Sequence, residues 1–277
     1  MDNFTTNTES MMFPTVGGLK LRIILSKINP DSALAETTRE KLVRDIYKLM
    51  YPFFRDKTDL KKTAFTIQLI YREDLEIVKR KKGNKNYIGF FDFIHPAKIK
   101  SFYQLSIFQF QLLIKAALYY SLEKNNGFIL HSSASLVNQK SYIFLGNSGA
   151  GKSTIIKLLR EKYKALADDT SIIRLDHGKY FFYQTPFLEK EQWIIRGPEK
   201  YSVGKIFFIR KSDRLQVKKI LNKNTVINKL LSHTILEKNE GNLIIKNVLE
   251  FIENFDEFYY LYFKNDSGEL TKFIEKV

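Results

Sequence analysis

Gly146-Asn147-Ser148-Gly149-Ala150-Gly151-Lys152-Ser153-Thr154 (GNSGAGKST) satisfies G-x-x-x-x-G-K-[ST] from Gly146 to Ser153. Each residue type has a reason to be there. Gly146, Gly149 and Gly151 allow backbone angles at which several N–H groups converge on one anion. The helix that follows adds its unsatisfied N-terminal amides. Lys152 has the reach for β- and γ-phosphates, Ser153 has a hydroxyl for Mg²⁺, and Thr154 adds a second hydroxyl. Asn147, Ser148 and Ala150 complete the loop that wraps the phosphates. The context fits as well. Tyr142–Leu145 is apolar and strand-like, and Thr154–Leu159 is helical in pattern.

Two further groups lie close to the loop in sequence. Ala167-Asp168-Asp169 ends a short apolar stretch directly after the loop's helix. The expectation is a strand beside the phosphate-loop strand, aiming its acids at the γ-phosphate. One acid would hold Mg²⁺ and the other would take the proton of an attacking hydroxyl. His131 precedes the loop on a strand Phe128–Val137, expected to form a hairpin with Ser141–Leu145 through Asn138-Gln139-Lys140.

Farther out, Gly18–Ser26, Ala64–Tyr71, Asp74–Arg80 and Tyr87–Ile94 read as strands, and Glu36–Phe54 as a helix. Lys79–Asn86, with Gly83, reads as a basic turn. Ser101–Leu122 reads as a long buried helix. Beyond the site, Ser171–Leu175 and Tyr180–Tyr183 form an expected hairpin about Asp176-His177-Gly178-Lys179. Gly204–Arg210 and Glu257–Phe263 read as strands, and Thr225–Thr234, Asn242–Phe255 and Leu270–Lys276 as helices. The whole reads as an α/β chain with a mixed sheet: an α+β unit over residues 1–100, a candidate acceptor-binding module, and a phosphate-loop core over residues 101–277.

Composition narrows the chemistry. The 277 residues include no cysteine, which excludes disulfides, thiolate zinc sites and cysteine nucleophiles. The four histidines lack helical metal-ligand spacing. The net charge of +15 favours anionic partners. No nucleic-acid-reading motif accompanies it, so no nucleic-acid partner is expected. Lys and Arg of the N-terminal unit could steer an acidic peptide. No apolar run reaches the ~20 residues of a membrane span, and the polar start is unlike a signal peptide, so a cytoplasmic protein is expected.

Three segments, LHSSASLV (130–137), FLGNSGAGKST (144–154) and ALADDTSIIR (165–174), together resemble the C-terminal domain of the HPr kinase/phosphorylase family and its HPr-kinase-related relatives. That family shares its nucleotide-binding fold with the phosphoenolpyruvate carboxykinases. The resemblance covers about Phe128–Phe187, with fainter matches at Thr185–Phe187 (TPF) and Gly204–Ile209 (GKIFFI). It implies ATP and Mg²⁺ as cofactors, Lys152 and Ser153 as phosphate and Mg²⁺ residues, Asp169 as general base, Asp168 as Mg²⁺ support and His131 as a histidine of the active centre. The chain departs from the family at Thr154, where an acid is usual, and ahead of Ile195-Arg196-Gly197, where Ile194 replaces an acid. Those departures weigh against HPr as the substrate. The C-terminal end is closer to relatives in peptide-modification clusters, such as the lasso-peptide kinases, which act on a serine of a precursor peptide.

Three other functions fit a phosphate loop: a regulatory NTPase, a non-catalytic nucleotide-binding module and a small-molecule hydroxyl kinase. The first lacks support, because no Ser-Gly-Gly-Gln and no apolar strand ending in Asp-Glu occurs. Asn222-Lys223-Asn224-Thr225 is not the Asn-Lys-x-Asp guanine reader.

Overall fold

The computed structural model describes residues 9–27, 33–54, 63–71, 78–82, 85–236, 242–264 and 267–276. The chain divides into two units, Met1–Ser121 and Leu122–Val277. The boundary expected near residue 100 thus moves to the end of the long helix. Both units mix helices with sheets of parallel and antiparallel strands, so the fold is α/β with mixed sheets.

In the first unit, β1 (Ser10–Met12), β2 (Thr15–Val16) and β3 (Leu19–Leu25) precede helix α1 (Ala33–Met50) and a 3₁₀ turn at Tyr51–Phe53. β4 (Phe65–Ile70), β5 (Val78–Lys82), β6 (Lys85–Gly89), β7 (Phe91–His95), β8 (Lys98–Phe102) and α2 (Ile107–Glu123) follow. The main sheet runs β1-β3-β4-β8-β7, with β3, β4 and β8 parallel and β2 paired to β3. α1 buries Ala35, Arg39, Leu42, Ile46 and Leu49, a stripe at helical spacing. β5 and β6 pair as a hairpin closing at Lys82↔Lys85; Gly83, and residues 74–77 of the expected strand Asp74–Arg80, lie outside the described residues.

Two expectations change here. Tyr87–Ile94 is split between β6 and β7 at Phe90. The helix expected from Ser101 starts at Ile107, because Lys98–Phe102 is a strand paired on both edges, to β4 and β7. A capping box fixes the later start: Ser106 N–H donates to Gln109 Oε1 at 2.9 Å, and Gln109 N–H to Ser106 Oγ at 3.3 Å.

The second unit holds β9 (Gly127–His131), β10 (Ser133–Val137), β11 (Lys140–Leu145), α3 (Lys152–Leu159), β12 (Lys164–Ala167), β13 (Thr170–Asp176), β14 (Lys179–Gln184), β15 (Lys200–Lys211), β16 (Gln216–Lys219), α4 (Lys223–His233), α5 (Asn242–Asn254), β17 (Phe258–Phe263) and α6 (Ser267–Lys276). The strand order is β12-β10-β11-β15-β14-β13-β9, with β17 joining β15 and β16. β11, β15 and β17 are mutually parallel and form the centre. One face of that centre packs Phe144, Phe207, Ile209, Leu261 and Phe263 with Ile155, Ile156 and Leu159 of α3 and Leu270 and Ile274 of α6. Burying so many large apolar side chains, at about 1.5–3 kcal/mol each, fixes α3 on the sheet.

Two expected pairings are corrected. The stretch Phe128–Val137 is not one strand. It breaks at Ser132, so His131 lies on β9, paired to β13, while β10 makes the hairpin with β11. The hairpin turn is the two residues Asn138 (φ 48°) and Gln139 (φ 62°), and Lys140 belongs to β11. The strand ending at Ala167 is not beside β11 either; β10 stands between them. β9–β10 and β12–β13 therefore form one long antiparallel ribbon, paired at Thr170↔His131 and again at Ala134↔Ala167. The ladder is interrupted between those pairs, at Ser132-Ser133 and Asp168-Asp169, where Ser132 N–H still donates to Asp169 O at 3.1 Å, and its register shifts again between Ala134 and Ser135.

Candidate active site

The phosphate loop leaves β11 at Gly146 and enters α3 at Lys152. Ala150 N–H donates to Asn147 O at 3.0 Å and closes the turn. Asn147, Ser148 and Gly149 are exposed, and Ala150, Ser153 and Thr154 are half-buried. Gly149 and Gly151 have φ of +76° and +106°. At Gly151 a Cβ would also stand 2.6 Å from Phe263 Cζ, whereas at Gly149 it would meet nothing within 4 Å. Gly151→Ala therefore carries backbone strain plus a steric clash, and Gly149→Ala the strain alone. We expect each strained backbone to cost about 1–3 kcal/mol, with Gly151→Ala the larger loss in denaturant unfolding. Equal losses would show that the Phe263 contact does not set the loop.

Lys152 is only 8% exposed, and its Nζ donates to Gly146 O at 2.8 Å. Burial lowers the ammonium's pKa, and the charges of Asp169 and Asp168 push it back up. The lysine is thus poised inside the loop with both aspartates as counter-charges.

The two aspartates diverge at the bend between β12 and β13. Asp168 is 3% exposed. Its Oδ1 accepts from Ser133 Oγ at 3.1 Å, and its Oδ2 is buried without a hydrogen-bond partner. Burial raises the carboxyl's pKa, and the hydroxyls of Ser153 and Ser133 partly lower it. The Ser153 hydroxyl thus acts on Asp168 without reaching hydrogen-bond geometry at Oδ2. Asp169 turns the other way, its side chain 53% exposed, with Oδ1 3.1 Å from His131 Nδ1. His131 Nδ1 also stands 3.0 Å from Asp169 O. Thr170 Oγ1 donates to Asp169 Oδ2 at 3.2 Å. The ribbon, not a hairpin with β11, brings His131 there.

Glu189 is a site residue that sequence reading misses. Its Oε2 accepts from the backbone N–H groups of both Asp168 and Asp169, at 2.8 and 2.9 Å. Those are the amides left over by the interrupted ladder. Its segment is clipped to α3 by Glu191–Lys157 at 2.8 Å and by Arg160 over the Trp193 ring at 5.7 Å. Arg196 donates to Pro186 O and Phe187 O and holds the segment's start. The sequence signal was a lone acid after Thr185-Pro186-Phe187-Leu188, too weak to single out.

Burial raises the Glu189 carboxyl to about 7; the two amides lower it and the charges of Asp169 and Asp168 raise it. The folded value exceeds the ordinary 4.5 of the unfolded chain. Its contribution to stability is therefore full below pH 4.5 and is lost as pH rises through about 7. Glu189→Gln keeps an acceptor for both amides and removes the titration. We expect thermal melts of the wild type to lose about 1–3 kcal/mol more than the variant between acid and alkaline pH. Parallel pH profiles would exclude a strained Glu189 carboxylate.

Among the described residues no cluster of three His, Asp or Glu forms a metal cage. A cleft of about 620 Å³ lies by Lys140, Ser202 and Phe255, at the opposite end of β11 from the loop. It contains none of the groups above.

No family model matches the chain, and no curated protein matches it. Among solved structures the chain is similar to the HPr(Ser) kinase/phosphatase from Coxiella burnetii, at 11% identity and a TM-score of 0.29, over 53% of this chain and 91% of that one. At that identity and TM-score the likeness decides nothing about this chain. No described helix is long and apolar enough to cross a membrane.

Proposed function

We propose that this chain is an ATP-dependent kinase that transfers the γ-phosphate to a hydroxyl, with a serine of a peptide or protein as the acceptor. The observation that carries the reading is the division of labour between adjacent acids. Asp168 is buried toward Ser153 and Ser133, while Asp169 is exposed beside His131, and both act electrostatically on Lys152. A nucleotide-binding module without chemistry has no need of an exposed carboxylate oriented in this way.

In this reading the amides of Gly146–Ser153 and the Lys152 ammonium hold the phosphates and neutralise charge as it shifts onto the leaving oxygen. Asp169 accepts the acceptor's hydroxyl proton while the oxygen bonds to the γ-phosphorus and the bridging P–O bond breaks, releasing ADP. His131 is a positioning residue for Asp169. Mg²⁺ fits the donor set: the unpartnered Asp168 Oδ2 and the neighbouring Ser153 hydroxyl are hard oxygen donors, as Mg²⁺ prefers. When bound, Mg²⁺ would supply charge neutralisation for the phosphates.

The test is transfer from γ-labelled ATP to a panel of serine peptides and free serine. Label in peptide supports the reading. Label in free serine alone moves it to a small-molecule kinase. ATP hydrolysis with no labelled acceptor in any arm overturns it.

A further inference from the structure

The face of β15, β17 and β16 turned away from the α3–α6 core carries three cations that, among the described residues, no acid pairs. The strand registers set Phe208, Tyr260 and Lys218 in one row, and Arg210, Tyr262 and Gln216 in the next. Arg210 lies over the Tyr260 ring at 4.6 Å and the Tyr262 ring at 5.9 Å. Lys218 lies over Tyr262 at 5.7 Å. Lys229 reaches in from α4, 5.3 Å from the Tyr260 ring and 5.7 Å from Phe208. Among the described residues, these three cations make ring contacts but no ion pair.

That pattern differs from the opposite face of the same strands. On the opposite face, Lys205 and Lys219 also lie over a tyrosine, Tyr259, yet both are paired to Glu257, at 3.0 and 3.1 Å. There the chain supplies the acid. At Arg210 and Lys229 it does the reverse: burial, and then the neighbouring Arg210 charge, lower the pKa of Lys229. Like charges held together over aromatic rings are stabilised by an anion from outside.

The face is coupled to the phosphate-loop site through His233, the last residue of α4. His233 stacks near Phe208 with ring centroids 6.5 Å apart. Burial takes the His233 imidazole down to about 4, helped by the charges of Lys152, His131 and Lys229. His233 thus lies within electrostatic range of Lys152 and His131 on one side and of Lys229 of this face on the other.

We propose that this face docks an acidic segment of the acceptor polypeptide, with its carboxylates on Arg210, Lys218 and Lys229 and its side chains against Tyr260 and Tyr262. The proposal rests on the kinase reading for its claim that the ligand is the acceptor. Charge complementarity selects the occupant. A neutral or apolar partner would bury three cations without compensation.

The test is fluorescence anisotropy on the full chain with a fluorescein-labelled peptide of glutamate, tyrosine and one serine, beside the same peptide with glutamine for glutamate. We expect the acidic peptide to bind at least ~10-fold more tightly, and its affinity to fall steeply with salt. Arg210→Gln with Lys229→Gln should weaken it ~10-fold or more, and Lys218→Gln, on a separate strand, should weaken it less. Binding of a fluorescent ATP analogue should be unchanged, which also shows that the variants fold. Equal binding of the glutamine peptide, or full binding by the double variant, overturns the proposal. So does loss of ATP-analogue affinity in a folded double variant, which would make the face a nucleotide subsite. Binding of an oligothymidylate but not the peptide overturns it as well. Binding is read without turnover, so a docked peptide that is never phosphorylated removes the kinase reading and leaves the docking face standing.

Discussion

Asp169→Asn lowers phosphate transfer by a factor of about 10²–10⁴, the range that a positioned base contributes, while ATP affinity stays within a few-fold. The substitution isolates one property. Asparagine keeps the shape and an oxygen acceptor for Thr170 Oγ1, but it cannot take a proton. The side chain is half-exposed, and the hydrogen bond from Thr170 Oγ1 survives the change. Folding should therefore be unaffected, which a thermal melt checks. Single-turnover transfer with saturating ATP separates chemistry from binding. Normal turnover in this variant would remove Asp169 from the role of base. His131→Gln, which removes the partner of Asp169 Oδ1, should fall between the variant and the wild type, because it disturbs orientation and leaves the carboxylate.

Lys152→Ala should cost more than rate alone. The residue is almost wholly buried, and the charges of both aspartates act on its ammonium. Removing it takes away a cation set against two carboxylates and an incoming triphosphate. A loss of about 10²–10³ in transfer is expected from one stabilising donor. The charge-assisted contact, worth about 1.5–3 kcal/mol, should disappear from ATP binding as well. Lys152→Met keeps the length and volume of the side chain and guards against a cavity effect. Isothermal titration with ATP and the transfer assay read both quantities. If both variants bind and turn over ATP like the wild type, Gly146–Thr154 is not the donor site.

The phosphate loop could be read from sequence because everything it needs is local. Strand, glycines, lysine and helix follow one another, and the forces that shape them act over a few residues. The mixed α/β architecture was legible for the same reason, through hydrophobic period. What could not be read was pairing. His131-Ser132-Ser133 is a short polar run inside Phe128–Val137, but residue types alone do not mark it as the point where one strand changes partner. The early helix start at Ser101 is the same kind of error, since Lys98–Phe102 is decided by two neighbouring strands. The capping pair Ser106 and Gln109 was present in the sequence and would have corrected it. Glu189 acts on backbone amides twenty residues earlier, and an acid bonded to amides leaves no pattern of residue types.

The interruption in the ribbon has a consequence for how such a protein can diversify. A strand ladder normally supplies its own amide partners, so the geometry at any rung is inherited from the sheet. At Asp168 and Asp169 the missing rung is replaced by one oxygen of Glu189, carried on a surface segment that also exposes Leu188 and Ile195. Surface segments are where lineages ordinarily accumulate change at little cost. Here substitutions in that segment act directly on the aim of the two aspartates. New acceptor preferences arising there would be screened at once for catalytic competence, and drift in that segment would be slower than its exposure suggests.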